Sequence, residues 1–196
     1  MNAGFPGTAA SPALWRAFLL RAAVAGAFGL LTIFWGQPSV HVLSVAGGLY
    51  FLATAATVFL QERSLRAQDA APSWLTGTAP VLLAVAGLLN LWIHTDAMFA
   101  GTGALVLIVS GVVDVVVGMR NRGKHAAARD FLLVGVVSVL TGALLPLFQP
   151  LGAHALLGVS GGGAVITAVL LALAALSYRH DARQAADPGT RGNPVN

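Results

Sequence analysis

The chain has 196 residues, of which 57% are hydrophobic and only 9% are charged. A soluble globular domain carries about 25% charged residues, so this composition excludes an ordinary water-soluble fold and favours a membrane protein. The sequence contains no cysteine, which excludes disulfides, thiolate metal sites and cysteine nucleophiles.

Six apolar segments follow one another along the chain, and each approaches the roughly 20 residues that a membrane-spanning helix needs. Barrel strands would be about 10 residues long and alternate in polarity, so these continuous runs predict helices. The segments cover residues 14–35, 40–60, 74–93, 98–119, 131–148 and 154–178, with a loop over 61–73. The predicted domains are a flexible tail over residues 1–12, a transmembrane domain over 13–178 and a disordered cytoplasmic tail over 179–196.

All eleven lysines and arginines lie on one side of these segments. They fall at the start of segment 1, between segments 2 and 3, between segments 4 and 5, and after segment 6. Positively charged loops stay in the cytoplasm while apolar helices insert, so the pattern predicts six spans with both termini inside. Topology and attraction to anionic lipid explain the formal charge of +4, so no nucleic-acid partner is predicted.

An internal repeat runs through the six segments. Each odd-numbered segment has a glycine about nine residues before its outer turn, and Gly29, Gly87 and Gly142 are spaced 58 and 55 residues apart. A Gln-Pro dipeptide recurs at residues 37–38 and 149–150. A regular period of this length predicts an all-α bundle of six transmembrane helices, built as three tandem helical hairpins of about 56 residues.

Two short motifs accompany this architecture, one an arginine before small residues and the other an aspartate beside a glycine. They are Trp15 followed by Leu19-Leu20-Arg21, Gly26, Gly29 and Pro38, and Gly111-Val112-Val113-Asp114. With this hairpin architecture and these two motifs, residues 15–178 resemble the HdeD-like family of small bacterial inner-membrane proteins associated with acid resistance. The resemblance implies a bacterial plasma membrane location and a role in acid or envelope stress tolerance.

Two charged residues lie within the apolar segments. Arg21 is five residues beyond Arg16, and Asp114 is six residues before Arg120, so both lie at a similar depth in the cytoplasmic third. A charge at the centre of a spanning helix costs roughly 2.5–3.5 kcal/mol, so each needs a partner. We expect an intramembrane ion pair between Arg21 and Asp114. The alternatives for its role are a packing tie, with Arg21 reaching lipid phosphate, and proton or ion handling.

Three histidines mark the predicted outer face, one in each hairpin: His41, His94 and His154, with Asp96 nearby. Histidine changes its charge between about pH 5 and 8, so acid outside would charge all three and makes them pH-sensing candidates. Two alternatives stay open, namely ordinary interfacial residues and a zinc site completed by Asp96.

Small and hydrogen-bonding residues are predicted to join the helices to one another. Gly158 and Gly162 form a small-xxx-small motif, which favours close helix approach. Thr54, Thr57, Asn90 and Thr167 are expected to form interhelical hydrogen bonds, the alternative being that they line a pathway.

The sequence offers no H-E-x-x-H motif and no paired carboxylates within a helical turn. We therefore predict a non-enzymatic integral membrane protein that needs no cofactor or metal and acts in acid or envelope stress tolerance. Its expected partners are the lipid bilayer and either a second copy of the chain or another membrane protein. The alternative is a small proton- or ion-translocating transporter or channel centred on Asp114.

Overall fold

The computed structural model of the protein describes residues 12–66, 77–123 and 127–186. Within these ranges the chain forms six α-helices and one 3-10 turn, and contains no strand. The all-α fold predicted from the apolar segments is therefore confirmed. The elements are α1 (Pro12–Phe34), α2 (Val40–Arg66), α3 (Thr78–Trp92), α4 (Asp96–Arg120), α5 (Ala128–Phe148), the 3-10 turn (Gln149–Leu151) and α6 (Ala153–Ala186).

Five of the helices, α1, α2, α4, α5 and α6, are long and apolar enough to cross a membrane, as in a multi-pass helical bundle. The exception is α3, whose 15 residues extend about 22 Å, less than the roughly 30 Å of a hydrocarbon core. It begins after Gly77, whose φ of 99° favours glycine, and carries Pro80 in its first turn. Residues 74–76, predicted to open this segment, lie outside the described residues.

The second helix continues past its predicted end. It reaches Arg66, so Gln61 and Glu62, which were predicted to lie in a loop, are helical and buried. The reason is a buried stripe at helical spacing, since Val58, Gln61 and Leu65 all face the interior. The loop boundary predicted at residue 61 is therefore wrong.

The last helix also continues past its predicted end. It extends to Ala186, so residues 179–186, which the sequence assigned to a disordered tail, are helical. The remainder of that predicted tail, residues 187–196, and residues 1–11 of the predicted N-terminal tail lie outside the described residues.

The helices run alternately up and down and pack side by side in a closed ring, because α6 returns to contact α1. The most extensive interfaces are α4–α5, α1–α6 and α2–α3, and the successive pairs α1–α2, α3–α4 and α5–α6 share smaller ones. Helices α2, α4 and α6 also contact one another, which places them nearer to the axis of the bundle. We call the end that holds the N-termini of α1, α3 and α5 the arginine end.

The three repeat glycines occupy matching places in the most extensive interfaces. A Cβ atom would lie 2.8 Å from a carbonyl oxygen of α2 at Gly87, 3.0 Å from a carbonyl oxygen of α4 at Gly142, and 3.3 Å from a backbone nitrogen of α6 at Gly29. Glycine is needed there because the two backbones approach too closely for a side chain. The repeat found in the sequence thus recurs as a repeated helix contact.

The small-xxx-small contact predicted at Gly158 and Gly162 is not formed between the described helices. A Cβ atom at either position would meet nothing within 4 Å. The close contacts of α6 are made instead by Gly161, which faces Thr32. The helix α6 is therefore rotated so that Gly158 and Gly162 lie on the outer surface of the bundle and not in a helix contact.

Two apolar clusters fill the bundle, and a layer of polar side chains separates them. The cluster at the arginine end is centred on Phe18, whose ring packs edge-on against Phe131 and Tyr178 at centroid distances of 5.5 Å and 5.4 Å. The other cluster contains the stacked rings of Phe51 and Phe99. The buried side chains between the clusters, here called the polar layer, are Arg21, Gln61, Ser110, Asp114, Ser138 and Thr167.

Candidate functional site

Arg21 is the centre of the polar layer. It lies on the buried face of α1 and is only 5% exposed, so its guanidinium group depends on protein partners. NH1 donates a hydrogen bond to Oε1 of Gln61 on α2, and NH2 donates one to Oδ2 of Asp114 on α4, both at 3.0 Å. Three helices are thus joined through one side chain. Charge-assisted hydrogen bonds of this kind offset part of the cost of burying the two charges.

This cluster is formed once, by Arg21 and Gln61 of the first repeat and Asp114 of the second. Arg21, Gln61 and Asp114 each have apolar counterparts at the matching positions of the other two repeats. These counterparts are Ala79 and Val134 for the arginine, Val117 and Ala174 for the glutamine, and Val58 and Leu171 for the aspartate. The chemistry of the site is therefore an addition to the repeated framework and not part of it.

Gln61 was not recognised as a site residue from the sequence. It is 2% exposed and accepts from Arg21 through Oε1, while its Nε2 makes no hydrogen bond within the described part of the chain. The helical spacing from Val58 to Gln61 to Leu65 was the signal that would have placed it in the interior.

One small cavity, the ion-pair cavity, adjoins Arg21, Asp114, Gln61 and Glu62, and its other lining residues are mostly apolar. About 20 Å³ of it is open to the centre of a water-sized sphere, which is room for roughly one water molecule. Glu62 accepts a hydrogen bond of 2.7 Å from the backbone nitrogen of Gly77. The cavity therefore brings two carboxyl groups, one guanidinium group and a free amide N–H together near the arginine end.

A second cavity, the axial cavity, lies on the other side of Arg21 and is lined by all six helices. It also offers about 20 Å³, room for roughly one water molecule. Thr54, Ser110 and Thr167 line it at matching repeat positions, 56 and 57 residues apart, so each repeat contributes one hydroxyl group. The remaining hydroxyl groups of its lining belong to Tyr50, Ser138, Thr141 and Ser160.

Several of these hydroxyl groups present lone pairs to the axial cavity. Ser110, Thr141 and Ser160 each donate their proton to a carbonyl oxygen of their own helix, so their oxygens remain free to accept. Thr54 Oγ1 faces the Tyr50 hydroxyl group but makes no hydrogen bond of normal geometry. A donor such as water is therefore the ligand that this lining suits.

Arg21 and Ser110 line both cavities, so the ion pair separates two polar spaces of about one water each. A metal ion that keeps its hydration shell is larger than either space. A proton needs no such room, because it passes between neighbouring oxygens along hydrogen bonds. Among ionic species, the size of the cavities favours the proton.

Two of the three predicted outer-face histidines come together. The rings of His41 and His94 lie 4.3 Å apart between centroids, tilted by 30°. His154 is exposed near the start of α6 and makes no ring contact with them. In the described ranges no three histidine, aspartate or glutamate side chains are grouped closely enough to hold a metal ion.

The predicted interhelical hydrogen bonds are formed in part. Asn90 Nδ2 donates to Thr102 Oγ1 at 2.8 Å and so joins α3 to α4. Thr57 donates to the carbonyl oxygen of Thr54 within its own helix, and Thr54 and Thr167 line the axial cavity instead.

Two stretches match catalytic patterns without having the required context. Residues 158–162 read G-x-S-x-G, but Ser160 lies inside α6 and donates to the carbonyl oxygen of Leu156, whereas that motif needs a strand-to-helix turn. Residues 118–124 read G-x-x-x-x-G-K, but His125 follows in place of serine or threonine, and a helix precedes them. Neither pattern carries a catalytic assignment.

Comparisons of the chain with protein-family models, with curated proteins and with solved structures find no match.

Proposed function

We propose that this protein is a non-enzymatic, six-span membrane protein that moves protons through its centre, with Asp114 as the proton-accepting group. The observation that carries the proposal is the Arg21–Asp114 ion pair at 3.0 Å between two water-sized polar cavities. Buried ionisable residues in membrane proteins are expensive and commonly mark proton relays.

The proposed topology has three hairpins and both termini in the cytoplasm. Five helices of membrane length and the alternating direction of all six support it. The placement of every lysine and arginine at one side supports the orientation. In this topology α3 is the third span, with 15 described residues that extend about 22 Å.

In the proposed relay, a proton reaches Asp114 through water and hydroxyl groups of the axial cavity. Protonation neutralises the carboxylate and removes the attraction that holds Arg21 to it, while Gln61 still accepts from the guanidinium group. Glu62 lines the ion-pair cavity beside Asp114 and supplies a second carboxylate that compensates the freed charge. Deprotonation toward the arginine end restores the ion pair.

The test is proton flux in sealed proteoliposomes under an imposed pH gradient, with Asp114→Asn beside the wild type. Asparagine keeps the shape and an acceptor oxygen for Arg21 but cannot carry the proton. We expect the wild type to dissipate the gradient and the variant to hold it.

The matched control is Asp130→Asn, at the start of α5. Asp130 accepts a hydrogen bond from the Tyr178 hydroxyl group and lines neither cavity, so its replacement should leave the flux unchanged. Wild-type flux in Asp114→Asn would exclude Asp114 as the carrier. Tight vesicles with the wild type would exclude proton movement and leave the ion pair as a packing tie.

We also propose that the outer face responds to acid, because the rings of His41 and His94 lie 4.3 Å apart between centroids. Two protonated rings at this distance repel each other by about 1 kcal/mol even in bulk water. Such a response fits the stress-tolerance role that the HdeD-like resemblance implies. Replacing both histidines by glutamine should abolish an acid-induced change in amide exchange at the starts of α2 and α4, and persistence of that change would refute the proposal.

A further inference from the structure

A separate charged feature lies where α1 and α6 meet at the arginine end. The guanidinium carbons of Arg16 and Arg179 lie over the ring of Trp15, at 5.4 Å and 5.6 Å from its centroid. The two helices run antiparallel, since Gly26 of α1 faces Ala168 of α6 and Gly29 faces Val165. The first and last helices thus present two positive charges on one indole ring.

These two charges face outward, and no carboxylate of the described side chains neutralises them. Both arginines are exposed, and neither forms an ion pair with a carboxylate of the described chain. Because both guanidinium carbons lie within 5.6 Å of one centroid, they are at most about 11 Å apart. Arg183 follows one turn after Arg179 and is also exposed. Guanidinium groups match the oxygens of a phosphate group in geometry as well as in charge.

An apolar groove continues from this feature along the same pair of helices. Its lining is made of small and aliphatic side chains: Leu19, Ala22, Ala23, Ala168, Val169 and Ala172. Leu19 lies about 6 Å and Ala23 about 12 Å beyond Trp15 along α1. Indole rings prefer the level of the lipid headgroups, so the groove lies at the depth where acyl chains begin.

We infer that the α1–α6 surface binds one anionic phospholipid. Arg16 and Arg179 hold its phosphate group beside Trp15, and an acyl chain lies in the groove. Basic sites between transmembrane helices are suited to anionic headgroups, and the charge of the two arginines favours a net negative lipid over a zwitterionic one. The apolar groove directly below the arginines selects a lipid over free phosphate. The site shares no residue with the proposed proton relay.

Trp15 itself can report the bound lipid. A variant with Trp35, Trp74 and Trp92 replaced by phenylalanine keeps Trp15 as its one indole. It is reconstituted in phosphatidylcholine vesicles that contain the same fraction of either phosphatidylglycerol or phosphatidylcholine with brominated acyl chains. We expect the local enrichment of the anionic lipid at Trp15, measured by fluorescence quenching, to be roughly fivefold or more.

Two pairs of substitutions, each removing two positive charges, distinguish a specific lipid site from a general attraction of anionic lipid to the positive surface. Arg16→Gln with Arg179→Gln should abolish the preference, whereas Arg120→Gln with Arg129→Gln, at exposed positions of α4 and α5, should keep it. Unchanged quenching by brominated phosphatidylcholine shows that Trp15 has kept its depth in each variant.

Three results would overturn the inference. They are equal quenching by the two brominated lipids in the Trp15 variant, an equal loss of preference in both arginine pairs, and removal of the preference by excess inorganic phosphate. The last result would assign the arginines to a soluble anion.

Discussion

The interfaces between neighbouring helices follow the internal repeat, whereas the polar layer inside the bundle does not. In the ring, each repeat supplies the same element, a glycine pressed against the backbone of a neighbouring helix, as at Gly29, Gly87 and Gly142. In the polar layer, one repeat supplies an arginine where the others have Ala79 and Val134. Among the described helices the glycine contact is made three times, and the ion pair is made once.

The difference shows which part of the sequence carries specific chemistry. Close backbone packing can be repeated, because it needs only small residues at a fixed period. A buried ion pair cannot be repeated without cost, because each further charge would need its own partner in a low-dielectric interior. The single buried ion pair of the described helices is therefore the feature that distinguishes one repeat from the next.

The largest effect is expected from removing one charge of the pair. Asp114→Ala leaves Arg21 buried and uncompensated, which should lower the free energy of unfolding by about 3–5 kcal/mol. The measurement is reversible unfolding in detergent micelles, with Asp130→Ala as a control of the same residue type near the arginine end. A loss below about 1 kcal/mol would mean that Arg21 reaches lipid phosphate or water instead.

A double-mutant cycle measures the coupling free energy between Arg21 and Asp114 directly. Arg21→Met with Asp114→Leu removes both charges and leaves apolar side chains, so it should cost less than the sum of the two single changes. We expect a coupling free energy of up to about 3 kcal/mol. Additive losses would show that the 3.0 Å contact contributes no net stability.

Replacing Gly29, Gly87 or Gly142 by alanine tests whether the three repeated helix contacts are equivalent. Each substitution should lower the unfolding free energy by about 1–3 kcal/mol through overpacking. The order should be Gly87, then Gly142, then Gly29, following backbone distances of 2.8, 3.0 and 3.3 Å. Gly158→Ala is the control, since its Cβ meets nothing and alanine favours the helix. Losses in a different order would show that the three glycines do not make equivalent contacts.

The smallest effect is expected in the axial cavity. Ser110→Ala should cost about 1 kcal/mol, because it loses a hydrogen bond to its own helix. Thr54→Val should be close to neutral, because Oγ1 makes no hydrogen bond of normal geometry. Thermal unfolding of both variants checks the difference. If Thr54→Val is strongly destabilising, its hydroxyl group has a partner, such as a bound water.

Much of this fold could be predicted from composition and spacing. The apolar segments and the glycine period depend on local chemistry, and Arg21 and Asp114 could be matched by their similar depth. Helix rotation could not be predicted, because glycines face in several directions along α6, and Gly161 rather than Gly158 meets its neighbour. The burial of Gln61 and Glu62 was missed, since polar residues near a segment end look like a loop until tertiary contacts are known.

Because α1 packs against α6, one of its partners is synthesised long after α1 itself. About 120 residues separate the end of α1 at Phe34 from the start of α6 at Ala153. At 5–20 residues per second, the synthesis of α1 ends roughly 6–24 s before that of α6 begins. Throughout that interval the nascent chain displays an incomplete helix surface, and for about the first two thirds of it Arg21 has no partner, because Asp114 has not yet been made. This is the period in which insertion factors and quality-control proteases would encounter it.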